Sequence, residues 1–452
     1  MKIRQFEDKH LSHFSYAVLS ESANEMILID PARDTKPYRE FSAETGAAIT
    51  GVIETHPHAD FVSSHLALHQ QLGATIYSSK LIKAGYPRQT FDDGDVIELG
   101  EVRFLAINTP GHSPDSISVL VSADGVQRAI FTGDTLFAGD VGRPDLRESN
   151  GSRETERHTL ARQLFHSLRE NLANVRDEVI VYPAHGAGTL CGKHLSEATS
   201  STMYDQRQYN WAFQVKTEAA FVKELLQEQP FIPAYFPYNV SMNQQGAPAP
   251  VYPALGVKEI DAGLWTIDVR DGKSYKAGHL PHSINIMEGN SFETWLGSLI
   301  RPEERFYLTA GDEKTLQRML ARTAAIGYEN KVAGAFVMGA DAGVAGDAAA
   351  LEGAGEFVAD QLDVEWFREH FYDYTIVDVR NASEVKDRPI FDHSLSIPLF
   401  ELQQRAGEIP VDRPIVVHCA GGYRSAAGSS LLQSLLRGKQ RVLDLGEAVK
   451  TF

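Results

Sequence analysis

The feature that most narrows what this chain can fold into is a set of loops, each placing His or Asp beside Gly or Pro directly after a β-like apolar run. The first, Thr55-His56-Pro57-His58-Ala59-Asp60, follows the run at residues 48–53. The others are Thr109-Pro110-Gly111-His112, Phe131-Thr132-Gly133-Asp134 and Pro183-Ala184-His185-Gly186. Ligand-binding side chains are usually mounted on loops held by a rigid scaffold. Such loops in succession point to one metal centre at strand ends. Imidazole and carboxylate suit zinc, iron or manganese, and no thiolates nearby offer a sulfur-rich alternative.

The remaining pattern up to residue 237 is mixed α/β. Strands are expected at 16–19, 26–29, 75–77, 96–99, 102–105, 117–121, 128–131 and 179–182, with a hairpin at Gly100. Helices are expected at 61–72 and 155–172, the second with Ala161, Leu164, Phe165, Leu168 and Leu172 on one face. Two β-rich series, each with helices, imply stacked sheets covered by helices. Residues 238–254, rich in Pro, Gln and Asn, read as a linker.

Beyond that stretch lies an internal repeat. Trp265-Thr-Ile-Asp268-Val-Arg270 recurs 110 residues later as Thr375-Ile-Val-Asp378-Val-Arg380, and Ala310 is matched 109 residues later by Cys419. Alternating strand and helix signals in each copy imply parallel sheets with covering helices. The two copies span 255–340 and 357–452, separated by a Gly- and Ala-rich linker at 341–356.

Composition excludes several roles. The length of 452 residues allows several domains, and a net charge of −17 argues against nucleic acid or an anionic membrane as the main partner. Two distant cysteines speak against a disulfide framework and for a reducing compartment. No run is long and apolar enough to cross a bilayer, and the first residues lack the apolar core of a secretory signal, so a cytoplasmic protein is expected.

In order, the ligand loops resemble the metallo-β-lactamase superfamily. Its two-metal motif reads H-x-H-x-D-H, but here the last position is Phe61, which cannot coordinate. That departure fits the persulfide dioxygenase branch, which THPHAD, TPGHSPDS, FTGDTLFAGDVGRPDL, YPAHGAGTLCGK and TMYDQRQYNWAF also resemble. The resemblance implies one Fe(II) per chain held by His56, His112 and Asp134, a facial triad that leaves positions open for O2 and a substrate sulfur. His58, Asp60 and His185 then orient the ligands. Zinc remains the rival metal, since these ligand types bind both. Arg143 is the candidate for a substrate carboxylate, its alternative being an ion pair with Asp140 or Asp145. Cys191 reads as a buried, inert thiol, and His65, His69, His158, His166 and His194 as surface or packing histidines.

Cys419 opens CAGGYRS after the apolar run 415–417, and residues 424–437 read as a helix. A cysteine at a strand-to-helix turn faces backbone N–H groups and a helix dipole, both of which stabilise negative sulfur. Gly421 and Gly422 permit a tight loop, with Tyr423 beside them, and Arg424 adds positive charge. Cysteine, four residues, then arginine resembles the rhodanese sulfurtransferase loop, which implies Cys419 and Arg424 as catalytic and Gly421, Gly422 and Tyr423 as substrate-binding. The stretch after the second Asp-Val-Arg, RPIFDHSLSIPL, departs from that family, so the turn there must differ. The first copy has Ala310 at the nucleophile position and should be inert.

The resemblances imply an N-terminal metallo-β-lactamase αββα sandwich (residues 1–237) followed by two rhodanese-like α/β domains with parallel sheets. The expected function is oxidation of a low-molecular-weight thiol persulfide, such as glutathione persulfide, to sulfite and thiol. It is coupled to a sulfurtransferase that interconverts persulfide plus sulfite with thiosulfate plus thiol. Partners are then small molecules (thiol persulfide, O2, sulfite, thiosulfate), with self-association into a homo-oligomer left open. The alternatives are a glyoxalase II-like zinc thioester hydrolase and a non-enzymatic sulfur relay.

Overall fold

The computed structural model describes residues 1–146, 153–193, 195–257, 259–338, 358–436 and 438–452. The chain forms two compact units, one of Met1–Pro250 with Ala325–Gly327, the other of Val251–Ala324 with Tyr328–Phe452.

The first unit holds two six-stranded sheets, each with its strands side by side in chain order. The first sheet comprises Lys2–Asp8, His13–Ser20, Glu25–Ile29, Ala48–Ile53, Thr75–Ser78 and Gln89–Thr90. The second comprises Val96–Leu99, Val102–Asn108, Ile117–Ala123, Val126–Gly133, Ile180–Pro183 and Ser201–Thr202. Alternation along the strands explains the layering. Tyr16, Val18, Ile27 and Ile29 turn to a core shared with Val102, Phe104, Val119, Val121 and Phe131 of the second sheet. Their neighbours Ala17, Leu19, Met26 and Leu28 turn outward onto Tyr38 and Leu68, from helices Lys36–Thr45 and His65–Leu72. Across the second sheet, Leu120, Ile130 and Val181 pack against Ala161, Leu164, Leu168 and Leu172. The order is helix, sheet, sheet, helix, as the sequence implied.

Three local expectations are corrected. The helix expected from residue 61 begins at His65. Ser63 binds Glu54 Oε1 at 2.6 Å through its hydroxyl and Asn243 Oδ1 at 2.8 Å through its N–H, which holds the preceding residues as a buried loop. Helix Arg153–His166 is followed by a π-helical turn at Ser167–Asn171, where Ser167 donates to the Pro110 carbonyl at 2.7 Å. Residues 238–254 are not simply a linker, because Phe236–Gln245 is a helix with proline in its first turn. It buries Phe236, Asn239, Val240 and Asn243, so a linker-like composition here conceals a packed element.

The second unit holds two four-stranded sheets of the same connectivity. One is ordered Ser283–Asn285, Trp265–Asp268, Phe306–Ala310, Val332–Val337, the other Leu395–Ser396, Thr375–Asp378, Ile415–His418, Val442–Asp444. All neighbouring strands are parallel. The repeated Asp-Val-Arg works identically in each. Asp268 and Asp378 each hold the arginine two residues on at 2.6 Å, and Arg270 and Arg380 then donate to the carbonyls of Gly278 and Arg388. Strand end and following helix are thereby tied together. The departure at RPIFDHSLSIPL still delivers an edge strand, since Leu395–Ser396 pairs in parallel with Thr375–Asp378. The linker expected at 341–356, His194 and Arg437 lie outside the described residues. No helix among the described residues is long and apolar enough to cross a membrane.

Candidate metal centre and cysteine loop

The loops singled out in the first unit converge. Ligand atoms of His56, His112 and Asp134, all buried, lie within 4.8 Å of one another. Asp134 Oδ2 is 3.8 Å from His56 Nε2 and 3.6 Å from His112 Nε2. Gly133, in the left-handed region with φ +51°, allows this approach, since a Cβ there would lie 2.5 Å from Thr55 Oγ1.

The hydrogen-bond network sets the state of each donor. Thr55 Oγ1 gives its proton to Asp30 Oδ2 at 2.7 Å, so His56 Nδ1, 3.1 Å from Thr55 Oγ1, must donate to it. His112 Nδ1 donates to the Arg143 carbonyl at 2.8 Å. Both Nε2 atoms are left with a bare lone pair. Burial holds His56 well below its ordinary pKa and lowers His112 as well. Burial would raise Asp134, but His185, His112 and His56 hold it well below the usual carboxylate range. Two neutral imidazoles and one carboxylate result. His56 Nε2 and Asp134 Oδ2 are buried without a hydrogen-bond partner among the described residues. Leaving such atoms bare is costly, and a divalent cation satisfies them together. The donor set therefore fits a metal.

A second group, His58, Asp60 and His185, also gathers within 4.8 Å. Ion-pair distances link its members to one another and to Asp134, although His58 Nδ1 and Nε2, both Asp60 oxygens and His185 Nε2 are, like the triad atoms, buried without a hydrogen bond among the described residues. His185 places Nδ1 2.6 Å from Asp134 Oδ1 and Nε2 2.7 Å from Asp60 Oδ2. Burial opposes charge on His185, yet these carboxylates raise its pKa well above the ordinary value. His58 is likewise raised against its burial by Asp30, 3.2 Å away. Phe61 lies tilted beside them, its ring centroid 4.4 Å from His58 and 3.9 Å from His13.

Some members of this site carried no clear sequence signal. Asp30, Glu54 and His58 form a further buried group, and Cys191 gathers with Asp134 and His185. Cys191, expected as a buried, inert thiol, is buried, and its sulfur lies near Asp134 and His185. Burial, then Asp60 and Asp134, push its thiol pKa well up. Arg143 is buried with its fork closed on Asp145, both contacts at 2.7 Å, which is the ion pair posed as its alternative role. It borders a cavity of about 260 Å³ with Lys193, Trp211 and Glu224. His65, read as a surface or packing residue, is fully buried, with Nδ1 3.6 Å from Glu54 Oε1.

In the second unit, Cys419 is buried at the end of Ile415–His418, ahead of helix Tyr423–Leu436. The Gly422 N–H points at Cys419 Sγ, 3.1 Å away. Gly422 has φ +101°, and a Cβ there would lie 3.0 Å from the Glu447 nitrogen. Arg424 is held by Glu384 through paired contacts of 2.6 and 2.7 Å, and it keeps the Glu384 carboxyl below its ordinary value. The Tyr423 hydroxyl donates to the Met287 carbonyl at 2.7 Å. Gly421 is on the open side, with only Lys450 Cε, at 3.9 Å, near where a Cβ would stand. Of the residues expected to face substrate, Gly422 addresses the sulfur directly, while Arg424 and Tyr423 are engaged elsewhere. In the first copy Ala310, fully buried, ends the equivalent strand.

Comparisons with known proteins agree with this division. The metallo-beta-lactamase superfamily model matches residues 11–185, and the rhodanese-like domain model matches residues 363–449. The chain is similar to the mitochondrial persulfide dioxygenase ETHE1 of Homo sapiens, 25% identical over 184 residues, covering 40% of this chain and 67% of that protein. It is 31% identical over 176 residues to a hydroxyacylglutathione hydrolase of Gloeobacter violaceus, covering 38% of this chain and 63% of that one. Among solved structures, a metallo-beta-lactamase from Staphylococcus aureus subsp. aureus COL aligns with a TM-score of 0.69 and 32% identity, over 74% of this chain and 99% of that one.

Proposed function

The chain belongs to the metallo-beta-lactamase superfamily and carries a rhodanese-like domain at residues 363–449, and on that premise we propose that it is an enzyme of sulfur metabolism with two chemistries. The first is oxidation of a low-molecular-weight thiol persulfide, glutathione persulfide being the model substrate. Persulfide, O2 and water give thiol, sulfite and two protons. The observation that carries this reading is the buried triad of His56, His112 and Asp134, beside a second group in which His185 sits between two carboxylates and Phe61 stands against His58. Fe(II) held by that triad would supply open positions where O2 and a sulfur ligand meet. The chain's own work is orientation. Thr55 and the Arg143 carbonyl fix the two imidazole tautomers, and His185 holds Asp134 as the carboxylate. The similarity to a persulfide dioxygenase supports the same reading.

The second chemistry is sulfur transfer at Cys419. Its thiolate attacks the outer sulfur of thiosulfate, the S–S bond breaks, and sulfite leaves with the electron pair. An acceptor thiolate then takes the outer sulfur and releases the Cys419 thiolate. The Gly422 N–H is placed to stabilise negative sulfur at both stages. The Cys-less copy is a second rhodanese-like domain without transfer chemistry.

Similarity to a hydroxyacylglutathione hydrolase favours a second reading, a two-zinc thioester hydrolase. Oxygen uptake with glutathione persulfide, before and after iron chelation, separates the two. The proposal expects uptake that chelation abolishes and ferrous iron restores. Hydrolysis of S-lactoylglutathione without oxygen uptake would overturn it.

A further inference from the structure

Among the described residues, the Cys-less copy meets the cysteine loop at Tyr423. Tyr423 follows Gly422 and begins the helix Tyr423–Leu436. Its hydroxyl donates to the Met287 carbonyl at 2.7 Å. Its ring lies so close to Gly289 that a Cβ there would sit 2.8 Å from Tyr423 Cε2. The Gly289 carbonyl in turn accepts from Arg322 Nη2 at 2.6 Å, and Arg322 is clamped to buried Glu293 by contacts of 2.6 Å. Further along the same helix, Ser430 Oγ accepts from the Asn285 N–H at 2.9 Å, and Lys276 Nζ lies 2.7 Å from Asp444 Oδ2. Met287 and Gly289, which receive the tyrosine, belong to the copy that lacks a nucleophile.

We infer that Met287, Gly289 and Arg322 of the Cys-less copy form a socket for Tyr423, and that this socket holds the Gly422 N–H on Cys419. Tyr423 is then a positioning residue, not a substrate contact. The reasoning is geometric. Gly422 has glycine's freedom at φ +101°, so its N–H direction is set by what anchors its neighbours. On one side is the strand carrying Cys419, on the other Tyr423. An amide aimed at sulfur from a helix N-terminus stabilises the anion only while its direction holds. The socket acts on the nucleophile and leaves the Arg424–Glu384 side alone, so it governs the rate of sulfur attack more than the binding of an anionic donor.

The inference rests on sulfur transfer at Cys419, and the test separates the two claims. In the full chain, Tyr423→Phe removes the hydroxyl that reaches Met287. Gly289→Ala closes the socket without altering any atom of the loop. For each variant, three quantities are measured: the iodoacetamide alkylation rate of Cys419 at fixed pH, the kcat and KM for thiosulfate, and the unfolding midpoint. The expected result is alkylation and kcat falling together by about tenfold, with KM and the unfolding midpoint close to those of the parent chain. Parent-like alkylation and kcat in Tyr423→Phe would overturn the socket, as would losses that only track a lowered midpoint. Should Gly289→Ala fail to fold, Tyr423→Phe decides alone. A parent chain that transfers no sulfur, yet whose alkylation rate depends on the socket, would overturn the sulfurtransferase reading and leave the socket standing.

Discussion

Phe61 lies against His58, ring centroids 4.4 Å apart, where the two-metal motif of the superfamily would place a further imidazole. The phenyl ring removes a donor and walls the second group with apolar surface. His185, between Asp134 and Asp60, is drawn toward its charged form by both carboxylates. The chain is therefore expected to hold one metal ion. Elemental analysis should return about one tightly bound ion per chain, and Phe61→His reconstituted with zinc should move that figure toward two.

Asn243 joins a helix to the metal loop. Its Nδ2 donates to the carbonyls of His58 and Phe61, each at 2.8 Å, and its Oδ1 accepts from the Ser63 N–H at 2.8 Å. Asn243→Leu leaves those buried backbone groups unpaired, and each such loss costs about 1–3 kcal/mol. Thermal unfolding of the first unit should fall markedly, and metal content with it.

The two proposed chemistries share no residue. Asp134→Ala should abolish oxygen uptake and leave thiosulfate sulfurtransfer near the parent rate. Cys419→Ser should do the reverse. Loss of both activities in either variant, with the fold intact by circular dichroism, would mean the sites are not independent.

Glu384 occupies the fork that Arg424 would otherwise offer an anion. Glu384→Gln should lower the KM for thiosulfate severalfold, read from steady-state sulfurtransfer. The pair also has a pH signature. Arg424 depresses the Glu384 carboxyl below its ordinary 4.5, so the stabilisation is complete above that value and is lost as pH falls through the lower folded pKa. The acid limb of the unfolding midpoint should flatten in the glutamine variant.

The local pattern of the chain was enough to set His56, His58, Asp60, His112, Asp134 and His185 at strand ends and Cys419 at a strand-to-helix turn, to read the sheets of the first unit as stacked, and to see the duplication from its Asp-Val-Arg strands; the choice of His56, His112 and Asp134 as metal ligands came from the family resemblance. Each of these is written within a few residues: a β-like run, a turn, and a side chain of suitable chemistry. What it could not reach was how each polar side chain is spent. Cys191 is buried as its residue type suggests, but nothing nearby in sequence distinguishes a thiol facing Asp134 from one facing leucines. Arg424 reads as available because its partner Glu384 lies 40 residues away in sequence, whereas the Asp145 partner of Arg143 stands two residues on and is among the pairings the sequence offers. Residues 238–254 read as linker because proline and asparagine favour loops, yet Pro237 falls in the first turn of helix Phe236–Gln245 and Asn243 finds backbone to bind.

Residue type and order thus determined the layering of sheets and helices and the kinds of side chain at the strand ends, since these follow from short-range periodicity and chemistry, and the family resemblance they carry supplied the fold class. Only the tertiary structure decided charge and availability. His185 is held between Asp134 and Asp60, and Tyr423 is seated in the Cys-less copy. Proton affinity and hydrogen-bond capacity depend on which groups lie within a few ångströms, and folding draws those neighbours from distant parts of the chain.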